Sequence, residues 1–426
     1  MAETFSSCGD HRRHFLKTAA AAATGLAFTT AERPLCAASP PSAVPTVMLG
    51  RTGQKVTRLG MGTSWNLDQS FVQAALFAGV RYIDTSESYE NTRVESILGE
   101  VIERTGMRKD VYLVTKNAGY RHATGPAAHG VFERHLVASL ERLRTDHVDA
   151  YYMHGLAGNQ IGLLRDPGVR AAFEALKKSG KIRFCGLSCH DALLPEILEA
   201  AAEVGWLDQV MFKYNYRDVG NKDRYDDLNR AIDKVHKANI GLVAMKTQSG
   251  AEPFPADKAE LEAKGIRLKG RLHPSEQRVV DLLGKGYKRE VAAVKTVWMD
   301  ERMHVAVSEM TTRSDLRENI AASREPLSAK EARLLEEHRC GTEHLYCHGC
   351  GHLCESAAKG VPVATVLRYY RYYTVYGKRE RARALYQALP PEARRLADAD
   401  LAAAEAACPY HLPVADLVRQ ADRRLS

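Results

Sequence analysis

The sequence predicts an α/β fold: a closed (β/α)8 barrel of the TIM type, followed by a helical C-terminal extension built around a cysteine cluster. Three observations carry that prediction. Short β-branched runs alternate with amphipathic stretches from Val56 to about Ile320, the pattern of parallel strands covered by helices. Roughly eight such units in about 270 residues match the ~250 that a closed barrel takes. No G-x-G-x-x-G turn opens a strand–helix unit, which argues against an open dinucleotide-binding sheet.

The elements follow in order. Residues 79–84 read as a strand and 93–104 as a helix; 110–116 and 130–143 make the next pair. A strand at 148–152 leads to a helix at 169–178 that Gly180 ends. Next come a strand at 181–187, a helix at 193–204, a strand at 209–212, a helix at 224–237 and a strand at 240–245. Residues 250–290 are charged and punctuated by Pro and Gly, and no element is assigned to them. A helix at 291–299 and a strand at 303–307 complete the barrel. Ser328-Ala-Lys-Glu331 then forms a capping box for a helix at 329–338. Residues 364–376, 380–388 and 396–406 are helical in pattern, with Pro390-Pro391 as a break. The chain thus divides into a leader (1–38), a barrel (45–325) and an extension (326–426).

Composition narrows the function. The chain is 45% hydrophobic and 26% charged, and its formal net charge of +8 is spread thinly. A nucleic-acid binder gathers its basic residues on one element, so nucleic acid is not an expected partner. The leader has a charged start, His11-Arg12-Arg13-His14-Phe15-Leu16-Lys17, a short alanine-rich run to Phe28 and small residues at Ala37-Ala38-Ser39. That is the layout of a secretory signal. Its paired arginines resemble the twin-arginine (Tat) type, which is read by export machinery. The expected location is periplasmic or otherwise extracytoplasmic, reached in the folded state. Cys36 raises a lipoprotein reading that Arg33-Pro34-Leu35 disfavours. No other stretch is long and apolar enough for a membrane helix.

In a β/α barrel, polar residues at the C-terminal strand ends line the active-site mouth. Those ends carry Asp84 and Thr85, Lys116, His154, Ser188 and Lys246, with Tyr89 in the loop after Asp84. A tyrosine titrates near ~10 and is a sluggish acid at neutral pH. A neighbouring ammonium stabilises its phenolate and brings it toward the working range. Lys116, held by an ion pair with Asp84, is placed to do this. His154 would donate a hydrogen bond that sets a carbonyl oxygen beside Tyr89. Such a group polarises and protonates a carbonyl while hydride arrives at carbon. Cys185 and Cys189 read as core thiols.

The run Gly-x-x-x-Ile-Asp84-Thr-Ser-x-x-Tyr89, then Thr-Lys116, Tyr-Met-His154 and Gly-Leu-Ser188, resembles the aldo/keto reductase family over about residues 46–325. The resemblance implies Tyr89 as general acid, Asp84 and Lys116 tuning it, and His154 orienting substrate. It also implies a nicotinamide cofactor, NAD(P)(H), with Ser188 at the carboxamide and Asn319 near the adenine. Three departures stand out. Cys189 replaces a common asparagine. Met211 replaces a common glutamine, for which Gln209 is the expected substitute. Glu309 and Met310 stand where Lys-Ser often grips the 2′-phosphate, leaving Arg313 as the nearby cation and the NAD-versus-NADP choice open. The loops that select substrate (120–128, 157–167 and 250–274) carry no readable signature. The alternative reading is a non-catalytic nucleotide-binding or redox-sensing barrel with a structural zinc tail.

Five of the nine cysteines crowd the last quarter: Cys340, Cys347, Cys350, Cys354 and Cys408. A C-x2-C-x3-C run with one remote Cys-Pro is an unusual zinc pattern. Tight runs of thiolates more often hold iron–sulfur clusters. Zinc and disulfides stay open as alternatives, as do Cys340, His344, His348 and His352 as substitute ligands. The tail resembles the ferredoxin-like extension on a subset of aldo/keto reductases, and that resemblance implies a [4Fe–4S] cluster on Cys347, Cys350, Cys354 and Cys408. The expected partners are a carbonyl or alcohol substrate and an electron-transfer protein served by the cluster as an electron port.

Overall fold

The computed structural model describes residues 44–64, 67–191, 193–219, 222–248, 289–342, 347–349, 351–374 and 378–426. The leader, most of the 250–290 stretch and Cys350 lie outside the described residues. The chain divides into two units, Met1–Glu252 with Lys288–Leu335, and Pro253–Tyr287 with Glu336–Ser426.

In the first unit, β1 (Thr46–Met48) and β2 (Lys55–Thr57) form an antiparallel hairpin with Val47 opposite Val56. Eight parallel strands follow: β3 (Leu59–Gly62), β4 (Tyr82–Asp84), β5 (Tyr112–Asn117), β6 (Val148–Met153), β7 (Ile182–Cys189), β8 (Gln209–Lys213), β9 (Gly241–Met245) and β10 (Val305–Glu309). They pair in chain order, and β10 closes the ring by pairing with both β9 and β3. The fold is therefore the closed (β/α)8 barrel that the alternation of elements predicts. β5 and β6 are buried at every position, as strands walled by a filled barrel on one face and helices on the other must be.

The covering helices are α1 (Gln69–Phe77), α2 (Arg93–Thr105), α3 (Ala127–Leu143), α4 (Pro167–Lys178), α5 (Leu194–Val204), α6 (Lys222–Lys237), α7 (Arg289–Val297) and α8 (Arg313–Ala322). Asp68 caps α1 by accepting from Phe71 N–H, and Asp166 caps α4 by accepting from Gly168 and Val169 N–H. Inside the ring, Tyr82, Tyr112, Val114, Ala150, Tyr152, Met211, Val243 and Val305 pack together with Leu49 and Val56 of the hairpin region. The hairpin was not anticipated: its strands are three residues each, too short to show a period. Its turn depends on Gly50, at φ +46°, where a Cβ would lie 2.5 Å from the Gly241 nitrogen. Only glycine tolerates both the dihedral and that approach.

Five further helices follow: α9 (Ala329–Thr342), α10 (Val363–Thr374), α11 (Arg379–Gln387), α12 (Leu401–Ala406) and α13 (Val414–Leu425), with a one-turn helix at Gly351–Cys354. The expected box is present at α9, where Glu331 N–H donates to Ser328 Oγ (3.2 Å) and Ser328 N–H to Glu331 (2.8 Å). The expected helix over 396–406 starts later, at Leu401, because Asp400 caps it by accepting from Ala403 N–H (2.9 Å). In the second unit, Val363, Val366, Leu367, Ala382, Tyr386, Leu401 and Val418 form a core that includes Cys354 and Cys408. Among the described residues, no helix is long and apolar enough to cross a membrane.

Candidate active site

The C-terminal ends of β4, β5 and β6 bring the proton-transfer residues together. Asp84 closes β4 and Lys116 lies one residue before the end of β5, both buried. The Lys116 ammonium lies 2.6 Å from Asp84 Oδ1 and donates to the Thr85 carbonyl (2.7 Å) and the Tyr89 hydroxyl (3.4 Å). Burial pushes the Asp84 carboxyl up and the Lys116 ammonium down. Each charge opposes the other's displacement.

His154 follows β6, its N–H donating to the Asn117 carbonyl (2.9 Å). Its ring stands edge-on to Tyr89, with centroids 5.6 Å apart. His154 Nδ1 is engaged by the hydroxyls of Ser86 (2.8 Å) and Ser88 (3.1 Å). These two serines were missed in the sequence reading. Their signal is the Ser-x-Ser spacing just after Asp84-Thr85. Glu87 between them accepts from Ala118 N–H (2.8 Å) and pairs with His135 (2.8 Å), pinning the loop to β5 and α3.

The residues expected at a nucleotide separate into two groups. Ser188 lies near the end of β7, where its oxygen accepts from Gly155 N–H (2.9 Å). Among the described residues no acceptor is recorded for its O–H. Thr85 Oγ1 is likewise buried with no partner among them. Both hydroxyls fit a polar ligand. Asn319 on α8 is buried near the end of β10, where its oxygen meets Ser308 Oγ (3.3 Å) and Gln248 Nε2 (3.3 Å). Gln248, after β9, is a further polar residue that the sequence reading did not single out.

Gln209 does not substitute for the glutamine absent at Met211. In register, Ser188 faces Met211, whereas Gln209 faces Gly186, two residues deeper. Its amide accepts from Tyr152 O–H (2.7 Å) and donates to Tyr112 (2.6 Å) in the barrel interior. At the two positions where the Lys-Ser pair is absent, Met310 is buried and Glu309 accepts from Ser64 O–H (2.8 Å). Cys185 and Cys189 are buried on β7, and burial pushes the Cys185 thiol up to about 12, the range of an inert core thiol.

In the second unit, Cys347, Cys354 and Cys408 line one cavity with His348, Leu353, Tyr410 and Leu412. His348 stacks on Tyr410 with ring centroids 3.7 Å apart. Among the described residues, no three His, Cys, Asp or Glu side chains are placed as a ready metal site.

The class is that of a (β/α)8-barrel oxidoreductase, with Asp84, Lys116 and His154 at strand ends and Tyr89 in the loop after β4. The aldo/keto reductase family model matches residues 58–339, and the chain is a member of that family. It is 29% identical over 168 residues to the uncharacterized oxidoreductase YqkF of Bacillus subtilis, covering 38% of this chain and 51% of that protein. It is 24% identical over 290 residues to L-galactose dehydrogenase of Arabidopsis thaliana, covering 64% of this chain and 86% of that one. The chain spans about half the length of some of the curated relatives it matches. The solved thermostable aldo-keto reductase Tm1743 superposes with a TM-score of 0.51 at 23% identity, over 69% of this chain and 99% of that structure.

Proposed function

We propose that the protein interconverts carbonyl compounds and alcohols by hydride transfer, with Tyr89 as the general acid and base. The carrying observation is the Lys116 ammonium, 3.4 Å from the Tyr89 hydroxyl and 2.6 Å from Asp84. A bound NAD(P)H would supply the hydride, and Ser188 and Asn319 are the residues that would hold it. In the reducing direction, Tyr89 gives its proton to the carbonyl oxygen, and Lys116 stabilises the phenolate left behind. His154, oriented by Ser86 and Ser88, positions that oxygen. Oxidation of the alcohol runs the same proton back.

The extension is proposed to hold a [4Fe–4S] cluster on Cys347, Cys354, Cys408 and Cys350, an assignment supported by three of these thiols lining one cavity. Such a cluster supplies one-electron chemistry. The leader motif supports export in the folded state to the periplasm by the Tat route.

Tyr89→Phe tests the barrel reading. With 4-nitrobenzaldehyde and either nicotinamide cofactor, turnover is expected to fall by about 10²- to 10⁴-fold, while cofactor binding followed by fluorescence persists. Undiminished turnover in the variant would remove Tyr89 from the proton transfer, and a wild type that binds cofactor without turnover would favour a barrel used for binding alone.

A further inference from the structure

Two of the loops without a readable signature meet beside His154. Arg121, in the one-turn helix after β5, extends its guanidinium over the His154–Gly155 peptide. Its Nη2 donates to the His154 carbonyl (3.4 Å), and a Cβ built on Gly155 would lie 3.9 Å from the same nitrogen. Its Nη1 donates to Gln160 Oε1 (3.2 Å), in the helical turn Gly158–Arg165. Its guanidinium also lies 5.5 Å from the centroid of the buried Tyr120 ring.

The side chain is exposed but tethered at two points. Gln160 Oε1 collects three donors: Arg121 Nη1, the Tyr120 hydroxyl (3.2 Å) and Ala157 N–H (3.1 Å). Every recorded polar partner of the guanidinium is a neutral oxygen, so its charge is uncompensated by any carboxylate among the described residues. Glu87, the acid that shares this region, is already taken by Ala118 N–H and His135. One N–H from each terminal nitrogen is spent on the protein, which leaves about three N–H donors for a planar anion. An arginine fixed in this way loses little freedom on binding, which favours a carboxylate over water.

We infer that Arg121, positioned by Gln160, is a specificity residue that selects carbonyl substrates bearing a carboxylate several bonds from the reacting carbon. This rests on the proposed carbonyl site at Tyr89 and His154. It also separates the anion of the substrate from those of a nucleotide. Arg121 lies on the β5 side of the ring, three strands from β10 through β4 and β3, whereas Asn319 lies by β10.

The test uses the full chain and binding rather than turnover. Dissociation constants are measured by calorimetry for 4-carboxybenzaldehyde and the neutral 4-nitrobenzaldehyde, in the wild type, Arg121→Gln and Arg121→Lys. NADH and NADPH are measured alongside. Wild type is expected to prefer the carboxylate. Arg121→Gln should reduce the preference by about 10- to 100-fold, and Arg121→Lys should keep part of it. Three results overturn the inference: no carboxylate preference in wild type, equal weakening of both aldehydes, or weakening confined to the nucleotides. The last would assign Arg121 to cofactor phosphate. Failure of the carbonyl-reductase reading itself is seen separately, as a wild type that binds cofactor but turns over neither aldehyde.

Discussion

At the level of single residues, Asp84, Lys116 and His154 were readable as strand-end residues and Tyr89 as a residue of the loop after β4, and the structure brings the four together. What could not be read was depth. Gln209 and Met211 have the same parity along β8, and only the register, Ser188 opposite Met211, shows which of them reaches the mouth. His304 makes a related point about burial. It lies just before β10, and its Nδ1 accepts from Leu242 N–H (3.0 Å) at the start of β9. Burial, with lesser contributions from His236 and Arg58, lowers its pKa from 6.5 to about 4. Above pH 6.5 the imidazole is neutral in both the folded and unfolded chain. Between about 6.5 and about 4 only the unfolded chain takes up the proton, so stability falls as pH falls through this window. The upper bound on the loss is about 3 kcal/mol. His304→Asn keeps an acceptor for Leu242 N–H but has no proton to gain. Urea melts across this pH range should therefore show a shallower acid slope in the variant; an unchanged slope would place the acid sensitivity elsewhere.

At the level of elements, the strands and helices of the barrel were legible from their periods, and their contacts were not. α2 and α3 illustrate this through two glycines that look alike in sequence. A Cβ on Gly99 of α2 would lie 2.3 Å from the Arg142 carbonyl oxygen and 2.7 Å from the Leu143 carbonyl carbon, both backbone atoms of α3. A Cβ on Gly130 of α3 would meet nothing within 4 Å. In a helix, Ala is favoured over Gly by about 1 kcal/mol, while overpacking against rigid backbone costs about 1–3 kcal/mol. Gly99→Ala is expected to lower stability because the packing cost wins. Gly130→Ala should raise it by up to about 1 kcal/mol, since only the propensity gain applies. Chemical denaturation of the pair reads both signs, and two shifts in the same direction would refute the packing argument. The interface also carries Glu95, which pairs with Arg142 (2.7 Å) and accepts from Thr115 O–H (2.5 Å), tying α2 to β5. A polar anchor of this kind leaves no periodic trace in the sequence.

For the whole molecule, the two units differ in how much the sequence disclosed. The barrel is a repeated pattern and shows itself; the extension has short helices, and its core depends on residues that a pattern search treats as ligands. Cys354 and Cys408 are 7% and 8% exposed and sit within the same apolar cluster as Val363, Val414 and Leu412. On the proposed cluster, thiols placed there would serve as packing atoms and as ligands at once, so metal binding and folding of the extension should be linked. Protein purified without oxygen is expected to be brown, with about four iron and four sulfide per chain. Stripping the metal with a chelator under reducing conditions should abolish one calorimetric transition, that of the extension, and retain a separate barrel transition. Cys408→Ser should reproduce the loss without chelator, since it removes a proposed ligand that is also a core side chain. Colourless protein with one zinc per chain would retain the linkage while removing the redox role. A metal-free extension that melts unchanged would mean that its apolar core alone holds it together and that the cysteines are packing residues only.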